Sequence, residues 1–290
     1  MSRITLVTFT VVLAAESLII CAGNAFTIFV FWSQRKGSLK RTCYLLLNLA
    51  VIDLFVGATQ PISLATQVKP FFLKGSSSYN DVHSHGYSFS AFFVAFSRMS
   101  VVSLAVISLE RTFAVLCPFL HRTARSQVYF YSIAFVWAAG IVVATIYLFP
   151  AFRLWDQFYS IIAMNILVMF CVFTICVSYT VIRFHIKRSH QVFDFVQKRN
   201  MERNLKLSKT MFIVTALSFS CWIPSIILYA VVNACFNCVP SEVMWIGTIL
   251  HSGNSIVNPI AYSCRMPIFR KTLSRLLKKR QPENVELAQL

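Results

Sequence analysis

The chain has 290 residues, of which 57% are hydrophobic and only 13% are charged, and its formal net charge is +17. A soluble domain carries about 25% charged residues, so this composition excludes an ordinary soluble protein and indicates one that crosses a membrane several times. The excess of Lys and Arg is explained by membrane topology and by attraction to anionic lipids, so we do not expect nucleic acid as a partner.

Seven apolar segments are long enough to cross a hydrocarbon core of roughly 30 Å, which needs about 20 residues. They cover residues 5–32, 42–68, 86–116, 128–149, 158–184, 207–233 and 241–264. The first segment exceeds the hydrophobic region of a signal peptide, and we expect it to stay in the membrane as a signal anchor. The sequence therefore predicts an all-α membrane protein, with a seven-transmembrane helix bundle over residues 1–264.

Basic residues cluster in the loops that follow segments one, three and five, and again after segment seven. Because cytoplasmic loops are enriched in Lys and Arg, we expect an extracellular N-terminus and a cytoplasmic C-terminus in a multi-pass plasma-membrane protein. Over residues 265–280 apolar and basic side chains alternate, a pattern typical of an amphipathic helix lying on the anionic inner leaflet. Residues 281–290 are interpreted as a cytoplasmic tail.

Polar and ionisable side chains are rare in the apolar segments, where they are expensive and usually functional. One carboxylate, two amides and two hydroxyls fall in segments two, three and seven: Asp53, Ser100, Asn254, Ser255 and Asn258. A buried aspartate could be protonated and hydrogen-bonded. The number of polar groups in several segments favours a cluster around a small cation.

Arg98 lies inside segment three, thirteen residues before Arg111 and therefore roughly 20 Å from it along a helix. A buried guanidinium needs an anion or several carbonyls. Two interpretations stay open: Arg98 anchors a carboxylate or phosphate of a ligand, or it is structural and bonds the backbone or Asn165. Nearer the end of the segment, Glu110 and Arg111 form an acid–base pair at the inner boundary.

Two further pairs stand out towards the outer side. Glu16 and His251 lie in the outer halves of segments one and seven, and we expect them to contact each other, either structurally or as a pH-sensitive pair. Cys235 and Cys238 lie in an outer loop, an oxidising location that favours a disulfide. A metal site is the weaker alternative because no second ligand pair is close.

Prolines interrupt segments six and seven: Pro224 lies two positions after Trp222, and Pro259 directly follows Asn258. A proline in a membrane helix frees the carbonyl four residues earlier. We therefore expect a polar side chain near Pro259 to satisfy that carbonyl.

Together these residues resemble the rhodopsin-like (class A) G-protein-coupled receptors across nearly the whole chain. The motifs that carry the resemblance, in chain order, are Gly23-Asn24, Asn48 with Asp53, Glu110-Arg111-Thr112, Trp137, Tyr179, Cys221-Trp222-Ile223-Pro224 and Asn258-Pro259-Ile260-Ala261-Tyr262. The resemblance implies a receptor without enzymatic activity, whose partners are an extracellular ligand and a heterotrimeric G protein.

The family implies a role for each matched position. An allosteric sodium ion would be held by Asp53, Ser100, Asn254, Ser255 and Asn258. The activation switch, which acts as segment six swings outward, would comprise Glu110, Arg111, Tyr179, Trp222, Pro224, Asn258, Pro259 and Tyr262. The ligand pocket would be lined by Phe93, Val94, Ser97, Arg98, Trp222, Tyr229 and His251.

The chain departs from the family in lacking the usual disulfide of segment three, where Gly86 stands and the following outer loop has no cysteine. This departure resembles the cluster of melanocortin, adenosine, cannabinoid and lysophospholipid receptors. Phe89, Phe92 and Phe93 make the predicted pocket apolar, which favours a small or lipid-like ligand, and Arg98 favours an anionic one. A transporter or channel is the alternative, but it usually shows an internal repeat with interrupted helices, and the sequence contains none.

Overall fold

The structure is a computed structural model, and the residues it describes form an all-α protein. It describes residues 3–33, 42–72, 79–150, 152, 154, 156–189, 212–213, 215–228, 230–231, 235, 238–265, 269–270, 272 and 274. The helices are α1 (Arg3–Ser33), α2 (Thr42–Phe72), α3 (Tyr79–Leu116), α4 (Pro118–Thr123), α5 (Gln127–Leu148), α6 (Gln157–Ser189), α7 (Thr215–Leu228) and α8 (Ser241–Arg265).

Seven of these helices coincide with the seven apolar segments, and α4 is a short additional helix directly after α3. Five helices, α1, α2, α3, α5 and α6, contain stretches that are long and apolar enough to cross a membrane. The helix α7 is apolar but shorter over its described residues. Several polar side chains interrupt the apolar surface of α8, and these are the residues that the candidate site uses.

The helix α3 lies at the centre of the bundle and packs against α2, α5 and α6, while α1 packs against α2 and α8. The bundle has two ends, each named for one of its residues. The Arg111 end contains Arg111 near the end of α3, and the Cys235 end contains Cys235 between α7 and α8.

Two glycines allow neighbouring helices to approach closely. A Cβ atom on Gly57 of α2 would lie 2.8 Å from Cys21 Sγ and 2.9 Å from Ile20 Cγ2 of α1. A Cβ atom on Gly140 of α5 would lie 2.6 Å from Met99 Cγ of α3. Real Cβ atoms do not approach so closely, so a larger residue at either position would force the facing side chain or the helix to shift.

Aromatic side chains close the core at the Arg111 end. The ring of Phe269 lies 5.3 Å from Phe31 and 5.9 Å from Tyr262, measured between centroids, and all three are buried. Residues 269, 270, 272 and 274 are helical within the predicted eighth helix, whereas the predicted tail, residues 281–290, lies outside the described residues. Phe269 therefore ties the chain that follows α8 to the end of α1.

Candidate functional site

The five residues predicted to hold a cation lie together between α2, α3 and α8. Ser255 Oγ donates to Asp53 Oδ1 at 2.8 Å, and Asn258 Nδ2 donates to Asp53 Oδ2 at 2.6 Å. Asn254 Nδ2 lies 3.5 Å from Ser100 Oγ. Asn254 Oδ1 and Asn258 Oδ1 are buried and accept no hydrogen bond from the described residues. Carboxylate, hydroxyl and free amide oxygens are the ligands a hard cation prefers, so this donor set fits a sodium ion.

The carbonyl freed by Pro259 is satisfied from another helix. Pro259 lies inside α8 and offers no N–H to Ser255 O. Asn24 of α1 fills the gap, since its Nδ2 donates to Ser255 O at 3.0 Å and also to Ile20 O at 3.0 Å. Gly23 allows this approach, because a Cβ there would lie 3.2 Å from the Pro259 ring. One asparagine thus joins α1 to the interrupted turn of α8.

A cation and two aromatic rings meet nearer the Cys235 end. The guanidinium carbon of Arg98 lies 4.5 Å from the centroid of the Trp222 ring. The imidazole of His251 contacts the same indole, with centroids 4.1 Å apart, and lies 6.1 Å from the ring of Phe93. Arg98 is 8% exposed and Trp222 2%. A guanidinium over an indole is a favourable cation–π arrangement, and here both groups are buried.

The other predicted pocket residues are less uniformly placed. Ser97 is buried, but its hydroxyl donates to Phe93 O in its own helix at 2.8 Å. Val94 packs with a separate apolar cluster between α3, α5 and α6. Phe92 is 54% exposed, so its inclusion in the pocket was wrong: it faces away from the bundle. Tyr229 lies outside the described residues.

The expected contact between Glu16 and His251 is replaced by a different arrangement. Glu16 Oε2 accepts from Ser252 Oγ at 3.0 Å and from Gln60 Nε2 at 3.3 Å. Gln60 Nε2 also lies 3.1 Å from Ser252 Oγ. His251, one position earlier, packs on Trp222 instead. Adjacent positions of a helix point about 100° apart because a turn contains 3.6 residues. Ser252 therefore faces Glu16 and Gln60, while His251 faces Trp222.

At the Arg111 end, Arg111 is paired with Glu110, its neighbour in α3. Glu110 also has two partners that the sequence did not suggest. His121 Nε2 of α4 lies 2.8 Å from Glu110 Oε1, and the hydroxyl of Tyr129 of α5 lies 3.3 Å from the same oxygen and 3.1 Å from His121 Nε2. The Arg111 guanidinium is buried. The carboxylate is thus held from α3, α4 and α5 in an orientation that keeps Arg111 paired.

The two predicted switch tyrosines are both buried but lie apart from that pair's hydrogen bonds. The ring of Tyr179 packs edge-on against Phe212 at 5.0 Å. Tyr262 packs against Phe31 and Phe269, and its hydroxyl has no hydrogen-bond partner within the described part of the chain. In this conformation both tyrosines therefore pack against neighbouring aromatic rings. Within the described residues, no hydrogen bond joins either hydroxyl to Arg111.

The two halves of α7 are held differently around Pro224. On the Cys235 side, Ser225 Oγ donates to Gly247 O of α8 at 2.7 Å, and a Cβ on Gly247 would lie 2.6 Å from Leu228 Cδ1. Pro224 removes the helix donor for the carbonyl of Ser220. Beyond that break, the described interhelical contacts include Trp222 with Arg98 and His251, and Phe212 with Tyr179 nearer the Arg111 end. Cys235 and Cys238 are bonded to each other just past this helix.

A signal in the sequence could have revealed Gln60, one of the missed residues, but none points to His121. Gln60 stands seven positions after Asp53, two turns along the same face of α2, where an amide in an apolar segment is already unusual. His121 follows Pro118 in the loop after Glu110, but nothing in the sequence indicates that this loop folds back as a helix.

The fold and these contacts define a class. A bundle of apolar helices with a buried carboxylate on α2, a paired arginine near the end of α3 and proline breaks in α7 and α8 is the architecture of the rhodopsin-like receptors. The hydrogen bond from Trp137 Nε1 to Asn48 Oδ1 at 3.0 Å, which joins α5 to α2, completes the set of matched motifs.

The chain belongs to the rhodopsin family of seven-transmembrane receptors, since residues 23–262 match the family described as 7 transmembrane receptor (rhodopsin family). Its fold resembles that of squid rhodopsin with a TM-score of 0.77 and 16% identity, over 96% of this chain and 87% of the other. It is 25% identical to the adenosine receptor A3 of Ovis aries, over 94% of this chain and 90% of the relative. It is 28% identical to the lysophosphatidic acid receptor 2 of Mus musculus, over 90% and 77%. The predictions of family and fold from the sequence are confirmed.

Proposed function

We propose that this receptor senses a small or lipid-like anionic ligand and activates heterotrimeric G proteins by an outward movement of α7 at the Arg111 end. In this proposal the Cys235 end and the N-terminus are extracellular, and the Arg111 end faces the cytosol of the cell whose plasma membrane holds the receptor. Anionic lipids of the inner leaflet are then the natural partners of the basic segment after α8.

The observation that carries the proposal is the position of Arg98 over Trp222. A guanidinium that is almost fully removed from water lies over an aromatic face, which is a weaker partner than a carboxylate or phosphate. An anion entering between Phe93 and His251 would draw the guanidinium off the indole. Binding energy is thereby converted into a change at Trp222, which lies two residues from the proline of α7.

The names of two relatives that match this chain over most of its length fit a small or lipid-like ligand. One relative is a receptor for lysophosphatidic acid, a lipid with an anionic phosphate, and another is a receptor for the small molecule adenosine. The likeness to both supports a small or lipid-like ligand for this chain, and Arg98 selects the anionic class.

The anchoring of α7 supports the proposed movement. Its Cys235 half is fixed to α8 by the Ser225–Gly247 hydrogen bond and by Leu228, whereas the chain beyond Pro224 lacks one helix hydrogen bond. A change at Trp222 would therefore pivot the Arg111 half and leave the other half in place. Tyr179, released from Phe212, and Tyr262 would then be free to turn towards Arg111.

A sodium ion bound at Asp53 would stabilise the resting state. The oxygens of Ser100, Asn254, Ser255 and Asn258 surround the carboxylate, and they come from helices that the pivot of α7 must rearrange. Any ion that binds the resting arrangement better than the active one shifts the equilibrium towards rest.

The ligand proposal is tested by nucleotide exchange on purified G protein, with the receptor in lipid nanodiscs. Matched lipids are compared: a lysophospholipid acid and a fatty acid against their uncharged esters. We expect the wild type to respond to an acid and not to its ester. Arg98→Gln should raise the half-maximal concentration by about 10- to 100-fold, because a hydrogen bond to a charged group contributes about 1.5–3 kcal/mol.

The matched control is Arg3→Gln, which removes an exposed positive charge at the start of α1 and should respond like the wild type. An equal response to acid and ester, or a wild-type response from Arg98→Gln, would show that Arg98 does not recognise the ligand.

The movement of α7 is tested by distances between spin labels. One label is attached to Cys264, an exposed free cysteine of α8, and the other to Ala216→Cys on the exposed face of α7, with Cys176→Ser removing another exposed thiol. We expect the distance to lengthen when ligand and G protein are added. A distance distribution that stays the same while nucleotide exchange proceeds would refute the pivot.

A transporter or channel is not favoured by the family, and ion or solute flux in liposomes without nucleotide exchange is the outcome that would restore that alternative.

A further inference from the structure

Glu16, Gln60 and Ser252 form a polar triangle inside the bundle. It is separate from the Asp53 cluster, which consists of Asp53, Ser100, Asn254, Ser255 and Asn258. The three side chains come from α1, α2 and α8, and their polar atoms lie between 3.0 and 3.3 Å apart. They are 7%, 3% and 1% exposed. Gln60 Oε1 is buried and has no hydrogen-bond partner among the described residues.

The carboxylate of this triangle has no cationic partner within the part of the chain that the structure describes. The ion pairs within the described residues are those of Glu110 with Arg111 and His121, and Glu16 takes part in neither. A buried carboxylate with two neutral donors is expensive unless a proton or a cation neutralises it. Turning over the Gln60 amide would place Oε1 where Nε2 now lies, 3.3 Å from Glu16 Oε2 and 3.1 Å from Ser252 Oγ, so that three oxygens would converge on one small space.

A glycine leaves room beside the carboxylate. Gly253 follows Ser252 in α8, and a Cβ built on it would lie 3.4 Å from Glu16 Oε1, an ordinary contact distance. The space that a methyl group would fill therefore adjoins the second carboxylate oxygen. Asn254, the next residue, already belongs to the Asp53 cluster, so the two polar sites share one stretch of α8.

We propose that Glu16, Gln60 and Ser252 bind a second small monovalent cation, sodium in extracellular conditions, on the Cys235 side of Asp53. Gln60 stands seven residues after Asp53 on α2, which separates the sites by about 10 Å. Two buried carboxylates at that distance repel each other in a medium of low dielectric constant. A cation at one site therefore lowers the electrostatic cost of a charged carboxylate at the other. This proposal goes beyond the function proposed above and depends on neither its ligand nor its G protein.

The test is thermal unfolding of the purified, ligand-free receptor in sodium, potassium or choline chloride at one ionic strength. Asp53→Asn removes the carboxylate of the first site. We expect this variant to keep a sodium-specific rise in Tm of a few degrees, because an ion that binds the folded state alone stabilises it. Adding Glu16→Gln should abolish the rise. Adding Gly253→Ala instead should move it to higher sodium concentration, since the new methyl group crowds the ion without removing a hydrogen bond.

Glu242→Gln is the matched control, a carboxylate at the start of α8 away from the triangle, and it should leave the sodium response of Asp53→Asn unchanged. The proposal is overturned if Asp53→Asn alone abolishes every sodium-specific effect, or if the double variant with Glu16→Gln retains it. A rise in Tm from Glu16→Gln that is equal in sodium and choline would mean that Glu16 carries a proton, and it would also overturn the proposal.

Discussion

The hydrogen bond from Asn24 to Ser255 makes a quantitative prediction about α1 and α8. Asn24→Ala removes the donor that lies 3.0 Å from Ser255 O, and Pro259 cannot replace it. A buried carbonyl left unpaired costs about 1–3 kcal/mol, whereas side-chain hydrogen bonds between membrane helices contribute about 0.6 and at most about 1.7 kcal/mol. We expect a loss of about 1–2 kcal/mol in the free energy of unfolding.

A double-mutant cycle isolates that hydrogen bond from the loss of packing around Asn24. Pro259→Ala restores an N–H that can donate to Ser255 O along the helix. In that background Asn24→Ala should cost about 1 kcal/mol less than in the wild type, because the carbonyl is no longer left unpaired. The assay is reversible unfolding of ligand-free receptor in bicelles by added denaturing detergent.

The matched control is Thr27→Val, another fully buried position of α1. Thr27 Oγ1 donates to Gly23 O in the same helix, a carbonyl that also has its ordinary helix donor, so its cost should be independent of Pro259→Ala. Equal costs of Asn24→Ala in the two backgrounds would refute the idea that Asn24 serves the proline break.

Three further predictions concern other contacts. Gly140→Ala should lower the free energy of unfolding by about 1–3 kcal/mol, since the new Cβ overlaps Met99, as measured in the same unfolding assay. His121→Ala should raise ligand-free nucleotide exchange roughly fivefold, because Glu110 loses a partner and about 1 kcal/mol of the resting state's stability is lost. Phe269→Ala should cost about 3 kcal/mol in the unfolding assay, since the ring fills a fully buried site.

Each of these has its own control. Ala139→Gly, next to Gly140 in α5, should change the free energy of unfolding by no more than about 1 kcal/mol. If it costs as much as Gly140→Ala, the close approach at Gly140 does not explain the loss. Ser132→Ala removes an exposed hydroxyl that bonds within α5 and should leave basal exchange unchanged. Unaltered exchange in His121→Ala would contradict the contribution of α4. Arg270→Ala, beside Phe269 but exposed, should leave the free energy of unfolding unchanged. If Phe269→Ala also leaves it unchanged, the ring does not hold the residues after α8 against α1.

The sequence was sufficient for the fold and for the residues of the Asp53 cluster. Apolar length fixes the number of segments, and a carboxylate in one apolar segment must find its polar partners in others. Asn258 lies three positions after Ser255 and four after Asn254, so it shares one side of the helix with each of them. Their convergence on Asp53 could be predicted without knowing how α2 and α8 are rotated.

The partner of Glu16 could not be predicted in the same way. His251 and Ser252 are adjacent in sequence, and the choice between them depends on the rotation of α8 about its axis, which no pattern in the chain specifies. A histidine is the more obvious partner for an acid, yet the structure turns it towards Trp222. His121 was missed for a different reason, because a six-residue helix in a loop gives too short a pattern to read.

The stack of Arg98, Trp222 and His251 has a spectroscopic consequence. An indole next to a fixed positive charge emits at a wavelength displaced by the field of that charge, and a nearby imidazole alters its quantum yield. Trp222 is therefore an internal chromophore whose emission depends on where the guanidinium lies. If the other tryptophans were replaced by phenylalanine, the intrinsic fluorescence of the unlabelled receptor would report occupancy of its pocket before any G protein is added.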